Sequence, residues 1–299
     1  MTEMKVFIKR NSKIFFKDKG VFFTSLITPL ILLVLYATFL AKVYKESFVS
    51  NIPSGVLLSD AVIDGFVGAQ LFSSLLAVCT VTVAFCSNML MVSDKLSGAT
   101  ADFGVSPMKQ SRLAIGYYLA TLGSTLTVCL TAAAISFVYI AAKGWFMSVL
   151  DVVLVLFDIF ILVMFGTALS SLVNFFLTSQ GQISAVGTIV SSSYGFLCGA
   201  YMPISSFGEG LRRVLSFLPG TYGMSLIRNH SMRGVFKEME REGFPSEAVD
   251  SLKDAFDCNI YFFDSKVSIP GMYAILIGAT LAVLAVYVLL CRYKKPKIK

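Results

Sequence analysis

Charge is what this chain has least of. Only 14% of its 299 residues are Asp, Glu, Lys or Arg, against 56% hydrophobic, where a soluble globular chain is about a quarter charged. That shortage excludes an ordinary soluble domain and marks an integral membrane protein. Histidine is scarcer still, a single residue at position 230. A zinc-protease HExxH pair, a histidine-rich metal site and a Ser-His-Asp triad all need more imidazoles or better placed ones. His230 thus has no companion for catalysis and reads as an interface or surface residue. Neither a GxSxG elbow nor a GxxxxGK[ST] phosphate loop occurs, so the chain does not bind and split ATP by that route. The six Cys show no paired spacing for a disulfide framework or a metal. Five of them (Cys79, Cys86, Cys129, Cys198, Cys291) lie in or beside apolar runs, as small hydrophobes do; Cys258 alone stands in a polar stretch. No catalytic set and no metal site is expected.

What is present is hydrocarbon. A helix needs about 20 apolar residues to cross a bilayer, and six runs qualify: 21–41, about 65–92, about 113–142, about 149–176, about 181–201, and 272–291. The net charge of +7 gathers at the two ends of the chain, which fits anionic lipid and topology rather than nucleic acid. Lys5, Lys9, Arg10, Lys13, Lys17 and Lys19 precede the first run; Arg292, Lys294, Lys295, Lys297 and Lys299 follow the last. Six spans put both tails on one side, and their basic residues make that side cytoplasmic. Lys95, Lys109 and Arg112 place the 93–112 loop on the same side. The first apolar run is too long for a signal-peptide core, so a retained span is expected. Pro29 within it removes a backbone hydrogen bond, which suits a moving helix and a static one equally.

Residues 3–20 place Val6, Phe7 and Ile14 among lysines at helical spacing. Two readings fit: an amphipathic helix along the membrane surface or a solvated basic tail. Past Pro203, Pro219 and Gly220 divide a segment too broken to span. Leu211, Val214, Leu215 and Leu218 keep helical spacing in its first half. Two half-helices entering the outer face are expected, with Arg212, Arg213 and Arg228 at head-group level, an ordinary surface helix pair being the alternative. Residues 233–268 read as a small outer insert, with one helix before Gly243 and another capped by Ser246. Asp158 lies well inside the fourth span, where a charge costs roughly 2.5–3.5 kcal/mol. It belongs either to a pathway, helix interface or subunit contact, or to a group that reaches water or is protonated and bonded to a neighbouring helix.

Two stretches carry a family resemblance. In "DKLSGATADFGVSP" (94–107), Gly98, Val105, Ser106 and Pro107 keep the spacing of an inner-loop pattern resembling E-x-G-T-L-E-x-L-x-V-[ST]-P. Ala99 stands where Thr is usual, Ala101 where the acidic residue is usual, and Asp102 supplies a carboxylate one place later. In 201–228, Pro203 and Ser205 match a P-[IL]-S start, Leu218, Pro219, Thr221 and Tyr222 an LP-x-TY centre, and Arg228 a closing Arg. With the six-span layout, the chain resembles the ABC type-2 permeases, membrane subunits of bacterial ABC exporters.

The resemblance implies an all-α polytopic membrane protein in the bacterial inner membrane. Its expected parts are an entry helix (1–20), five spans with a coupling loop (21–203, loop 93–112), re-entrant half-helices (204–231), a helical insert (232–269), and a sixth span with a basic tail (270–299). It further implies a dimer, with a second copy or a sister permease, surrounded by lipid and joined to separate ATPase subunits that hold ATP and Mg. The coupling contact would fall on Asp94, Lys95, Gly98, Asp102, Phe103, Val105 and Pro107, with Lys9, Lys13 and Lys17 of the entry helix beside it. Pro203, Leu218, Pro219, Tyr222 and Arg228 would shape the re-entrant segment. Cargo of lipidic, amphiphilic or drug-like character would pass along the dimer interface, lined by the first, second and fifth spans. An assembly that signals to an extracytoplasmic partner, and a membrane-embedded enzyme, are the alternatives.

Overall fold

The computed structural model of the chain describes residues 2–50, 58–104, 108–263 and 265–293. Val105, Pro107 and the lysines of the basic C-terminal tail lie outside the described residues.

The first helix, α1 (Thr2–Lys17), is amphipathic. Phe7, Asn11 and Phe15, four residues apart, form its buried stripe, and Lys5, Lys9, Lys13 and Lys17 form an exposed one. Val6, expected on the apolar face, is 63% exposed; the period selects Phe7 because its ring seats against Gly116, where an added Cβ would lie 2.7 Å from it. Next come α2 (Lys19–Leu35), a π-helical turn (Tyr36–Leu40) and α3 (Ala41–Ser50).

α4 (Asp60–Ser87) is the shaft of the molecule, buried nearly all round, as a helix apolar on every face must be. It packs against α2, α3, α7 (Gln110–Lys143), α8 (Val149–Phe176), α9 (Gln180–Leu197) and α11 (Pro219–Arg241). α8 comes close to it at Gly166, where a Cβ would stand 2.9 Å from the Thr80 carbonyl oxygen. Asn88 ends α4: its amide donates to Ser170 and Ser171 of α8 (3.1 and 3.0 Å) and accepts from Thr121 of α7 (3.2 Å). Beyond this joint run α5 (Met89–Leu96), a turn at Gly98, and α6 (Ala99–Gly104). Gly98 has φ +80° with nothing within 4 Å of a Cβ position, so backbone conformation rather than space requires glycine there. The expected single coupling helix is thus two short helices across a turn.

At the other end lie a 3-10 turn (Ile204–Ser206), α10 (Glu209–Leu215), α12 (Ser246–Ala255) and a two-stranded antiparallel hairpin, β1 (Tyr261–Phe262) with β2 (Ser265–Lys266). α13 (Ile269–Tyr293) then returns along α8, α11 and α7. α11 runs from Pro219 to Arg241 without a break, joining the second expected half-helix to the first helix of the insert. Pro245, not Ser246, holds the cap position of α12, and Ser246 is its first helical residue.

Among the described residues, four helical stretches are long and apolar enough to cross a membrane: 60–96, α7, α8 and α13. The first and fifth expected spans are not among them. The first is broken into α2, the π-helical turn and α3, and α9 is diluted by Gln180, Gln182, Ser184, Thr188, Ser191, Ser192 and Ser193.

Candidate functional site

The bundle has a polar junction at each end. At the α1 end, Asp94 on α5 is buried and faces inward. Its carboxylate accepts two bonds from the Arg10 guanidinium of α1 (2.8 and 2.9 Å) and one from the Tyr117 hydroxyl of α7 (2.7 Å). Donating these bonds to Asp94 holds the Arg10 guanidinium above its ordinary pKa. Arg10 also lies over the Phe103 ring of α6 at 5.2 Å, and Phe7 meets Phe103 and Tyr117 edge-on at 5.2 and 4.8 Å. Lys95 turns the other way. Its ammonium donates to the carbonyls of Asn174, Phe175 and Leu177 (3.0, 2.8 and 3.4 Å). That satisfies the orphan acceptors and the negative dipole end of α8.

Asp94, Lys95 and Phe103 therefore knit α5 and α6 to α1, α7 and α8. Of the residues expected at the ATPase contact, Asp102 of α6 and Lys9, Lys13 and Lys17 of α1 look outward. Sequence reasoning counted Arg10 only as one more basic residue. The signal was its phase, since it falls off the 5-9-13-17 stripe.

The opposite junction, at the α12 end, has more members. Asp158 of α8 contacts His230 Nδ1 of α11 at 2.6 Å and accepts a bond from the Tyr273 hydroxyl of α13. The His230 and Tyr273 rings stack, with centroids 6.5 Å apart. A turn or so further along α11, Arg233 Nε stands 2.5 Å from Asp151, which also closes a capping box with Ser148 at the start of α8. Asp158 and His230, each without a partner in the sequence reading, are thus partners in one helix interface.

Arg228 is enclosed by protein rather than open to its surroundings. Expected at head-group level, it is completely buried. It donates to the carbonyls of Phe256 (2.6 Å) and Gly199 (3.1 Å) and to Ser74 of α4 (3.3 Å), and stands 3.6 Å from Asp257. Asp257 in turn accepts from the backbone N–H groups of Ile204 (2.6 Å) and Ser205 (3.1 Å). Burial pushes the Asp257 carboxyl up from its ordinary pKa, and Arg228 and these two N–H groups pull it back. Pro203 precedes the 3-10 turn. Leu218 and Pro219 open α11, and the Tyr222 hydroxyl closes the α10–α11 joint on the Ser216 carbonyl at 2.6 Å. Among the described residues, no three His, Cys, Asp or Glu side chains gather as a metal-binding group.

A family model described as ABC-2 type transporter matches residues 2–230. The chain belongs to that family. Against curated proteins and against solved structures it gives no match. The match makes it an ABC-2 transmembrane permease, and the family in general works with an ABC ATPase. The match takes in both polar junctions up to His230. The end of α11, α12, the hairpin and α13 lie beyond it.

Proposed function

We propose that this permease is half of an ATP-driven exporter whose ATPase seats on the α1 end. The observation that carries the reading is the Arg10–Asp94–Tyr117 junction. It fastens the two short helices and the amphipathic entry helix into one body, with Asp102 and the lysine stripe of α1 facing away from the bundle. A force applied to α6 passes through α5 and the Asn88 joint into α4, the one helix that touches most of the others. ATP and Mg belong to the partner; this chain's part is mechanical.

The basic residues of α1 support a cytoplasmic position for its end. α13 supplies a depth scale, because its apolar run 272–291 is about 30 Å long at 1.5 Å per residue. Tyr273, at the start of that run, meets Asp158. That puts Asp158 at the outer membrane boundary rather than well inside the fourth span, where its cost is smaller. On the same scale the first residues of α11 dip into the outer leaflet, as a re-entrant element does. α9 turns Ser184, Thr188, Ser192, Ile189 and Phe196 outward from the chain, a mixed face suited to a dimer seam along which a lipidic, amphiphilic or drug-like cargo moves out of the cytoplasm or inner leaflet.

Co-expression with an ABC ATPase and capture on the tagged permease tests the seat. Capture of the ATPase, lost when Asp102 or Gly98 is replaced by a bulky residue, is the expected result; full capture by both variants contradicts it. ATP-dependent accumulation of amphiphilic dyes in vesicles tests the direction.

A further inference from the structure

A cavity of about 550 Å³ opens at the α12 end, between α10 and the chain from Asp254 to Phe263. Its α10 wall carries Glu209, Arg212, Arg213 and Ser216, one face of a helix by their i, i+3, i+4, i+7 spacing. The opposite wall carries Asp254, Asp257, Asn259, Tyr261 and Phe263, with Asp257 already taken up by the Ile204 and Ser205 N–H groups and by Arg228. Most of these charges are already engaged. Arg213 pairs with Glu209 at 2.5 Å and lies over Phe263 at 5.9 Å. Asn259 and Tyr261 both donate to Oδ1 of Asp254, at 2.7 and 3.1 Å. Two groups remain: among the described residues neither the Arg212 guanidinium nor Oδ2 of Asp254 has a partner. One cationic and one anionic group thus face a shared space from opposite walls.

The rim is apolar. On the other face of α10, Leu211, Val214 and Phe217 are 48%, 61% and 61% exposed. Phe217 meets Phe262 and Phe263 edge-on at 5.1 and 6.1 Å, and both of those rings are exposed as well. A contiguous exposed aromatic and aliphatic lip beside a cavity with one group of each sign fits an amphiphile whose head carries both charges. Aromatic side chains of this kind collect at the membrane–water boundary.

We infer that this cavity holds the head group of a zwitterionic glycerophospholipid from the outer leaflet, the phosphate at Arg212 and the ammonium at Asp254, with the acyl chains over Leu211, Val214 and Phe217. The inference rests on the reading of the α12 end as the outer membrane face. It does not require that the lipid be the exported cargo. Half of the site, 254–263, lies beyond the family match, so the site is a property of this chain rather than of the family model.

The test is native mass spectrometry of the full-length chain, delipidated and titrated with phosphatidylethanolamine, phosphatidylglycerol or free glycerophosphoethanolamine. Wild type is expected to retain phosphatidylethanolamine about ten-fold better than phosphatidylglycerol, the scale of one charge-assisted contact, and to hold the free head group weakly. Arg212→Ala should weaken both lipids about ten-fold. Asp254→Asn, which keeps the acceptor for Asn259 and Tyr261, should weaken phosphatidylethanolamine alone and erase the preference. Equal retention of both lipids by wild type and both variants overturns the inference, as does free head group bound as tightly as lipid. Because no ATPase is present in this assay, either overturning result leaves the ATPase seat untouched. Conversely, a chain that keeps the lipid preference but captures no ATPase counts against the exporter reading alone.

Discussion

The two ends of the bundle are held together differently. At the α12 end two ion pairs (Asp151–Arg233 and Arg228–Asp257) and the Asp158–His230 contact join α8, α11 and the loop after α12, and Tyr273 adds α13. At the α1 end, among the described residues, one ion pair, with Arg10 34% exposed, joins α1 to the short helix α5, which lies between Asn88 and the turn at Gly98. Arg228–Asp257 is buried on both sides and costly to break because the surviving charge is stranded. Arg10, like Arg233, is about a third exposed, so the difference between the ends rests on Arg228 and on the number of helices tied together. The α12 end is thus built as a fixed frame and the α1 end as a joint.

That contrast can be broken from its strong side first. Arg228→Ala strands Asp257 and three acceptors in the interior, a loss of about 3–5 kcal/mol; purified variant should show a collapsed thermal midpoint or fail to leave the membrane folded. Asp158→Leu comes next. It leaves the His230 and Tyr273 groups unsatisfied at about 1–3 kcal/mol each, while Asp158→Asn keeps an acceptor and should lose visibly less in the same melt. If both Asp158 variants assemble and transport normally, the frame does not include this residue.

On the joint side the effects shrink. A double-mutant cycle on Arg10→Ala and Asp94→Asn should give a coupling energy of about 1.5 kcal/mol, read in a denaturation series. Gly98→Ala should cost about 1 kcal/mol for its left-handed backbone, and should lower ATP-driven transport more than it lowers stability. Lys13→Ala should stay within about 0.5 kcal/mol in stability and show itself only in ATPase capture.

Much of this was legible from residue types and spacing. Apolar length located α4, α7, α8 and α13, and Pro219 marked the start of α11. The turn at Gly98 did not show, since 94–107 reads as one helix. The pairs were not legible. Asp158 and His230 are 72 residues apart in sequence, and Arg10 and Asp94 are 84 apart. Periodicity tells which face of a helix is turned inward, not which neighbour that face meets. The same limit hid the partners of Arg228, whose charge gave no sign that four elements converge to enclose it. The first and fifth apolar runs were read by content alone, and a π-helical turn and a row of hydroxyls leave both short of the four clear crossings.

The central claim is that the joint, not the frame, meets the ATPase. The most direct measurement is photo-crosslinking from a benzophenone amino acid placed at Asp102 on α6 or at Asp250 on α12, both exposed, in membranes containing the co-expressed ATPase. The expected result is a permease–ATPase adduct from position 102 and none from 250. An adduct from 250, or none from 102 with the complex intact, would contradict it.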